Sequence, residues 1–255
     1  MNIVTWNVNS IRAREERVLA WLDANSPDVL CLQELKGKED IFPLDAVQER
    51  GYEVAIFGQP TYNGVAILSK HPLEDVQRSF EDDVDDSHSR FIAATIQGIR
   101  VMNGYFPNGG DMESDKYVYK LAWLERLTTY LNQYDMTDPL LLCGDFNIVP
   151  SELDTALAEE REGSVLFNDT VRSWFQDTLA KGFTDTFRHL HPDDVQYSWW
   201  DYRQLSFPKN TGMRIDHILV TDVLKDRLTR VWIDRNERKG KKPSDHVPVL
   251  AEFAD

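Results

Sequence analysis

The sequence predicts an α/β fold in which two β-sheets pack face to face with helices outside, read as one domain over residues 1–255. Three observations predict it. Short apolar runs rich in β-branched residues recur: "NIVTWNV", "DVLCLQE", "GVAILS", "FIAATI", "RVMNGYF", "PLLLCGDFN", "RIDHILV" and "VPVLAEF". Stretches with helical spacing lie between some of them. No linker, low-complexity tract or Pro/Gly-rich hinge divides the chain, and 42% hydrophobic residues suffice for a sizeable core.

The elements follow in order. After "NIVTWNV", residues 10–25 read as a helix, with Ser10 as N-cap and Ile11, Val18, Leu19 and Leu22 near one face. Tyr62-Asn63-Gly64 before "VAILS" signals a hairpin. "KYVYKLAWLERLTTYLNQY" and "NDTVRSWFQDTLAKGF" carry apolar residues at helical spacing. "LLLCGDFNIVP" is an apolar strand that ends in Asp145 and Asn147. Gly144 is expected to allow a close backbone approach and Pro150 to end the strand.

Composition excludes several classes. No apolar stretch approaches the roughly 20 residues of a membrane span. "MNIVTWNVNS" lacks the basic head and apolar run of a signal peptide, so a cytoplasmic location is expected. Cys31 and Cys143 each lie inside an apolar run and read as buried thiols rather than a disulfide or metal site. The net charge of −15 alone argues against a polyanionic partner. Its distribution is uneven. Residues 201–246 hold 11 Lys and Arg against 7 Asp and Glu, a local +4 that leaves −19 for the remainder. Nucleic acid therefore stays open as a partner.

Strands in both halves end in polar residues: Asn7, Asn9 and Glu34 in the first, Asp145, Asn147, Asp216, Asp245 and His246 in the second. Singly, each has an ordinary reading. Asn7 and Asn9 are turn residues, Glu34 a strand terminus in water, and Asp216 half of an ion pair with Arg214. Together they share one chemistry and one strand-end context. Oxygen ligands without thiolates suit a hard cation such as Mg²⁺ or Mn²⁺. Zinc is disfavoured, because no H-E-x-x-H or C-x-x-C motif occurs.

"TWNVNSIR", "DVLCLQELK", "NGYFPNG", "CGDFNIVPSELD", "WWDYR", "MRIDHIL" and "SDHVPV" resemble, in order and over nearly the whole chain, the signature blocks of the exonuclease III group. That group belongs to the exonuclease–endonuclease–phosphatase superfamily. The resemblance implies a four-layer, DNase I-like sandwich of two mixed sheets flanked by helices. It implies Mg²⁺-dependent hydrolysis of duplex DNA at 3′ ends and 3′-phosphates, with abasic sites as a further candidate substrate, by a monomer that does not bind membranes. Metal ligands would come from Asn7, Glu34, Asp145, Asn147, Asp245 and His246. Asp145 would take a proton from the attacking water and Asn147 would hold water and phosphoryl in line. His246 would bond a phosphate oxygen, oriented by Asp216 or Asp245, and Tyr105 would lie near the scissile phosphate.

The same resemblance implies substrate contacts. Trp199 and Met213 would wall a sugar pocket, Asn108 would lie near the scissile phosphate, and Asn9 would also bind substrate. Arg203, Lys209, Arg214, Lys116 and Lys120 would meet flanking phosphates. "KGKKP" at 239–243 reads as a flexible basic loop, and "EDDVDD" at 81–86 as a solvated one. Two departures bear on substrate. "GDMESDK" after "NGYFPNG" lacks an Arg that some abasic-site endonucleases have, and Leu166 stands where such enzymes tend to have a small residue. A bulky Leu166 is expected to obstruct continuous duplex yet admit a DNA end. Two alternatives remain: another phosphoesterase of the superfamily, acting on RNA, phosphoinositides or sphingomyelin, and a non-catalytic nucleic-acid-binding regulator.

Overall fold

The computed structural model describes every residue except Asp83 and Asp255. The first sheet contains β1 (Asn2–Asn7), β2 (Val29–Gln33), β3 (Glu53–Phe57), β4 (Val65–Ser69), β11 (Leu228–Ile233) and β12 (Val249–Phe253). Its order is β11-β12-β1-β2-β4-β3. The second contains β5 (Glu74–Arg78), β6 (Phe91–Ile96), β7 (Ile99–Tyr105), β8 (Leu140–Asp145), β9 (Phe183–Asp185) and β10 (Asp216–Thr221), in the order β5-β6-β7-β8-β10-β9.

Each sheet is built around one parallel pair joined by a helix. In the first, β1 and β2 run parallel and α1 (Ile11–Asn25) connects them. In the second, β7 and β8 run parallel through α3 (Asp115–Leu131). All other neighbouring strands are antiparallel. Crossover helices must cover a face. Accordingly Trp6, Leu30 and Leu32 pack under α1 with Val18 and Leu22, while Met102, Leu142 and Leu219 pack under α3 and α5 (Asp169–Ala180) with Trp123, Leu127 and Phe175. The facing sides of the sheets form a third core from Ile3, Val29, Cys31, Val101, Cys143, Ile218 and Val249. The result is helix, sheet, sheet, helix.

Alternation along the strands decides where polarity emerges. Side chains two apart share a face. The facing series run Ile3-Thr5-Asn7, Val29-Cys31-Gln33, Val101-Asn103-Tyr105 and Leu141-Cys143-Asp145, and in reverse Val220-Ile218-Asp216. Each passes from apolar to polar toward one end, so the dry interlayer opens into a polar rim there. Gln33 and Asn103 are fully buried just inside it, and the Gln33 amide donates to Asn103 Oδ1 at 2.7 Å.

Eight strands were expected, and all eight are the interior strands of the two sheets. The four not expected, β3, β5, β9 and β11, are the four edges. Of these, β5 "EDVQR" carries exposed polar residues and lacks an apolar run, whereas β3 "EVAIF" has a short one that went unread. The hairpin at Asn63-Gly64 joins β3 to β4. Cys31 and Cys143 are free and buried. The 81–86 loop is not merely solvated, because Asp82 and Asp86 pair with Arg126 of α3; Asp83 lies outside the described residues. The 239–243 loop is likewise held to α1, where Arg17 donates to Lys239 O and Arg14 to Pro243 O.

Gly144 has the role its position suggested. Its φ is +141°, and a Cβ there would lie 1.8 Å from the Gly104 carbonyl oxygen of neighbouring β7. Pro150 does not end the strand; β8 stops at Asp145, and Asn147 turns the chain with φ +50°. Gly144→Ala is therefore expected to destabilise the fold by about 3 kcal/mol or more. Thermal unfolding checks this, and a Tm within about 2 °C of wild type would contradict it.

Candidate active site

The site forms where the C-terminal ends of the two parallel pairs meet. β1 supplies Asn7, β7 supplies Tyr105 and β8 supplies Asp145, while Glu34 follows directly on β2. Strict alternation after Gln33 would send Glu34 to the outer face. The backbone instead enters the left-handed region at Glu34, φ +53°, and the carboxylate joins the rim.

The Asn7 amide nitrogen donates to Glu34 Oε1 at 3.0 Å and to Asp145 Oδ2 at 2.9 Å. One side chain thus ties together carboxylates from different sheets. Glu34 Oε1 also accepts from the Tyr105 hydroxyl at 2.9 Å, and Oε2 faces Lys36 Nζ at 2.8 Å. Burial opposes ionisation of Glu34, but Lys36 and the Asn7 bond prevail and hold its pKa below the usual carboxylate value. Asp145 differs. Burial, with the Asp216 and Glu34 charges adding to it, raises its pKa to about 7, although His246 and Asn7 pull the other way.

His246 is fixed from both sides. Nδ1–H donates to Asp216 Oδ2 at 2.8 Å, and Nε2 lies 3.6 Å from Asp145 Oδ2. Burial alone would depress its pKa, but the Asp216 and Asp145 charges raise it to about 10, so the ring is an imidazolium at neutral pH. The orienting carboxylate is Asp216, which β10 sets directly opposite Asp145 in the ladder. Ser198 Oγ holds Asp216 Oδ2 at 2.6 Å and accepts from the Asp216 amide. Sequence reading missed Ser198. Asp245 turns aside, accepting from Asn9 Nδ2 at 2.8 Å and from the Trp199 indole at 3.0 Å.

Asn147 completes the rim. Its backbone amide donates to Asp145 Oδ1, its Nδ2 donates to Phe106 O, and its Oδ1 accepts from Asn108 Nδ2 at 3.0 Å. Tyr105 lies with its ring 4.8 Å from the Arg90 guanidinium. Burial first, then the Glu34 and Asp145 charges, raise the Tyr105 pKa far above its ordinary value, so the hydroxyl stays a donor. Beside this rim, Trp199, Met213 and Leu166 share one apolar cluster with Phe167 and Ile215. Trp200 is fully buried core. A cleft of about 450 Å³ lined by Arg90, Asn108, Lys116 and Tyr119 adjoins the other side.

Two cationic expectations change. Arg214 is 1% exposed; its guanidinium pairs with Asp154 at 2.7 Å and Asp185 at 2.8 Å, so it is a core ion pair rather than a phosphate ligand, and its partner is not Asp216. Lys120 is fully buried and bonded to carbonyls. Arg203 is exposed and pairs with Asp201.

Glu34, Asp145 and His246 bring ligand atoms within 4.8 Å of one another. With the ring protonated, the two carboxylates are the anionic donors, a set that fits a hard divalent cation. The arrangement joins an ionised carboxylate, a base poised near neutrality, a fixed imidazolium and a neutral phenol. That combination suits hydrolysis of a phosphate ester.

The model of the Endonuclease/Exonuclease/phosphatase family matches residues 4–246. Exodeoxyribonuclease III of Haemophilus influenzae is 37% identical, over 99% of this chain and 100% of its own. The structure of a 3′-5′ exonuclease from Neisseria meningitidis superposes with a TM-score of 0.97 at 42% identity, covering 100% of both chains. A 3′ phosphatase from Neisseria bound to a product DNA hairpin gives 0.97 at 41% identity, again over 100% of both.

Behind the rim, His217 is buried between Arg214 and Ile148 O, to which its ring is bonded. Burial, then Arg214, lowers its pKa to about 4. The folded protein rejects a proton that the unfolded chain binds below about 6.5. This contribution, on the order of 3 kcal/mol, is full above that pH and is lost as pH falls toward 4. Denaturant unfolding of wild type and His217→Gln is expected to show a stability gap that narrows over this window; a gap independent of pH would contradict the assignment.

Proposed function

The chain belongs to the endonuclease/exonuclease/phosphatase family and is a DNA-hydrolysing enzyme of exonuclease III type, and from that premise we propose how its residues divide the work. The observation that carries the reading is the convergence of Glu34, Asp145 and His246, distant in sequence, on one point of the rim.

Glu34 and Asp145 would hold a divalent cation, Mg²⁺ or in its place Mn²⁺, which when bound would neutralise charge on the phosphoryl and leaving oxygens. The remaining steps belong to the chain. Asp145 accepts the proton of the attacking water, a task for which a pKa near neutrality is matched. Asn147, held by Asn108 and Phe106 O, orients the phosphoryl beside that water. The His246 imidazolium donates to a non-bridging oxygen while Asp216 and Ser198 keep the ring in place. Tyr105, a donor and not a phenolate, turns its hydroxyl from Glu34 toward the phosphate. Asn7 and Asp245 support this set, the first by bridging the carboxylates and the second by holding Asn9 and Trp199.

The substrate is duplex DNA carrying a 3′ end or 3′-phosphate. Trp199 and Met213 receive the terminal sugar and Leu166 narrows the entrance, while Asn9, bonded to Asp245, and the exposed Arg203 contact the flanking backbone. Abasic-site incision is accordingly the weaker activity. The protein acts as a single domain over residues 1–255, as a monomer in the cytoplasm. Among the described residues no helix is long and apolar enough to cross a membrane.

Three outcomes are expected. Asp145→Asn retains binding to a 3′-recessed duplex and loses turnover by ~10²-fold or more; gel shift and single-turnover cleavage check this, and loss of binding instead would remove Asp145 from the role of base. Initial rates between pH 5 and 9 give kcat/KM rising with pH, with an acid limb centred no higher than about 7, because the base works ionised; a limb of opposite slope would contradict it. Leu166→Gly raises incision of an internal abasic site relative to 3′ trimming, and an unchanged ratio discards the obstruction.

A further inference from the structure

Lys120 lies on α3 with its side chain shut off from solvent. Burying an ammonium is unfavourable unless every donor is met. Its Nζ donates to Asn147 O at 2.7 Å, Val165 O at 2.9 Å and Asn108 O at 3.3 Å. Protonated, a lysine has three N–H donors, so these acceptors use all of them; burial lowers the Lys120 pKa to about 7, against the pull of the Asp145 charge. Among the described residues no carboxylate pairs with it. The stem is equally confined. Gly109 sits at φ +101°, and a Cβ there would lie 3.2 Å from Lys120 Cδ and 3.2 Å from Val165 Cβ.

The three carbonyls come from three separate connections. Asn108 follows β7, Asn147 follows β8, and Val165 precedes α5. Each borders the site. Asn108 and Asn147 are bonded to each other through their amides. Val165 is next to Leu166, whose own carbonyl accepts from the Val149 amide at 2.8 Å and whose side chain belongs to the cluster of Trp199 and Met213. A side chain needed only to fill this volume would be leucine or methionine, which would leave three carbonyls without donors.

We infer that Lys120 is a positioning residue for turnover: its ammonium is the tie that holds the Asn147 backbone against the Asn108 loop and the Leu166 wall, and so aims the Asn147 amide. The inference rests on the role given above to Asn147. Lys120 touches no substrate and acts through its neighbours.

The test is a double-mutant cycle on a 3′-recessed duplex with Mg²⁺, using Lys120→Met, Asn147→Ala and both together. Folding is checked by circular dichroism, and rates are taken well below each Tm. Lys120→Met is expected to lower kcat by ~10- to 100-fold, as a shift of about 1 Å in a positioned group does, with KM changed less than about threefold. The double variant is expected to be no slower than Asn147→Ala alone. Multiplicative losses would overturn the inference, and so would a folded Lys120→Met with wild-type kcat. An Asn147→Ala variant with wild-type kcat would overturn the role of Asn147 itself, a separate failure. Should Lys120→Met not fold, Lys120→Arg keeps charge and donors while shifting the carbonyls. It should be slower than wild type, and again no slower once Asn147 is Ala; a multiplicative loss here would equally overturn the inference.

Discussion

The whole rim depends on one amide. Asn7 places its nitrogen between Glu34 and Asp145 and bonds to both, so two carboxylates from different sheets are held close. Left alone, such a pair repels and one member takes up a proton. The surroundings settle which. Lys36 keeps Glu34 ionised, while burial and the charges of Asp216 and Glu34 raise Asp145. The two neighbouring carboxylates thereby differ in protonation: Glu34 stays ionised, while Asp145, set beside it at the same cation site, is poised near neutrality and suited to take up a proton as well.

That closeness follows from the topology. Each sheet has a parallel pair whose crossover helix sends both strands toward the same end, and the two pairs point their C-terminal ends at one rim. The antiparallel partners of these strands start there, which brings Asp216 and His246 in from the opposite direction. Close backbone contact between Gly104 and Gly144 joins β7 to β8 immediately before Tyr105 and Asp145. The segment from Ser198 to Trp200 is then stitched between Met213 and the chain around His246, so the imidazolium is braced by backbone as well as by Asp216. Burial makes every charge here count for more, because the carboxylates, the imidazolium and the phenol are set before substrate arrives.

The sequence was most legible where one physical rule acted alone. Interior strands are covered on both faces, and each appears as a largely apolar run. Edge strands such as β5 face water and leave no such trace. The polar strand ends were visible as breaks in apolar runs, and all of Asn7, Glu34, Tyr105, Asp145, Asp216 and His246 meet at one place. Partnership among them was not legible. Asp216 and Asp245 are equally plausible neighbours for His246 in the chain, and only the β8–β10 register decides between them. Cations misled for a related reason. Arg214 and Lys120 look like phosphate ligands in sequence, because nothing local shows that Asp154, Asp185 or three distant carbonyls lie waiting for them. Ser198 had no signal of its own between two aromatic residues. Gln33 did have one, as an amide on the buried face of an otherwise apolar strand.

Glu34 and Asp145 together would form a single cation site before any DNA binds. Equilibrium titration of metal-stripped protein with Mn²⁺, followed by electron paramagnetic resonance of the free ion, tests it without substrate or turnover. One bound Mn²⁺ per chain in the wild type, and its loss in Glu34→Gln with an unaltered fold, is the expected result. Equal Mn²⁺ binding by the two proteins would contradict the account.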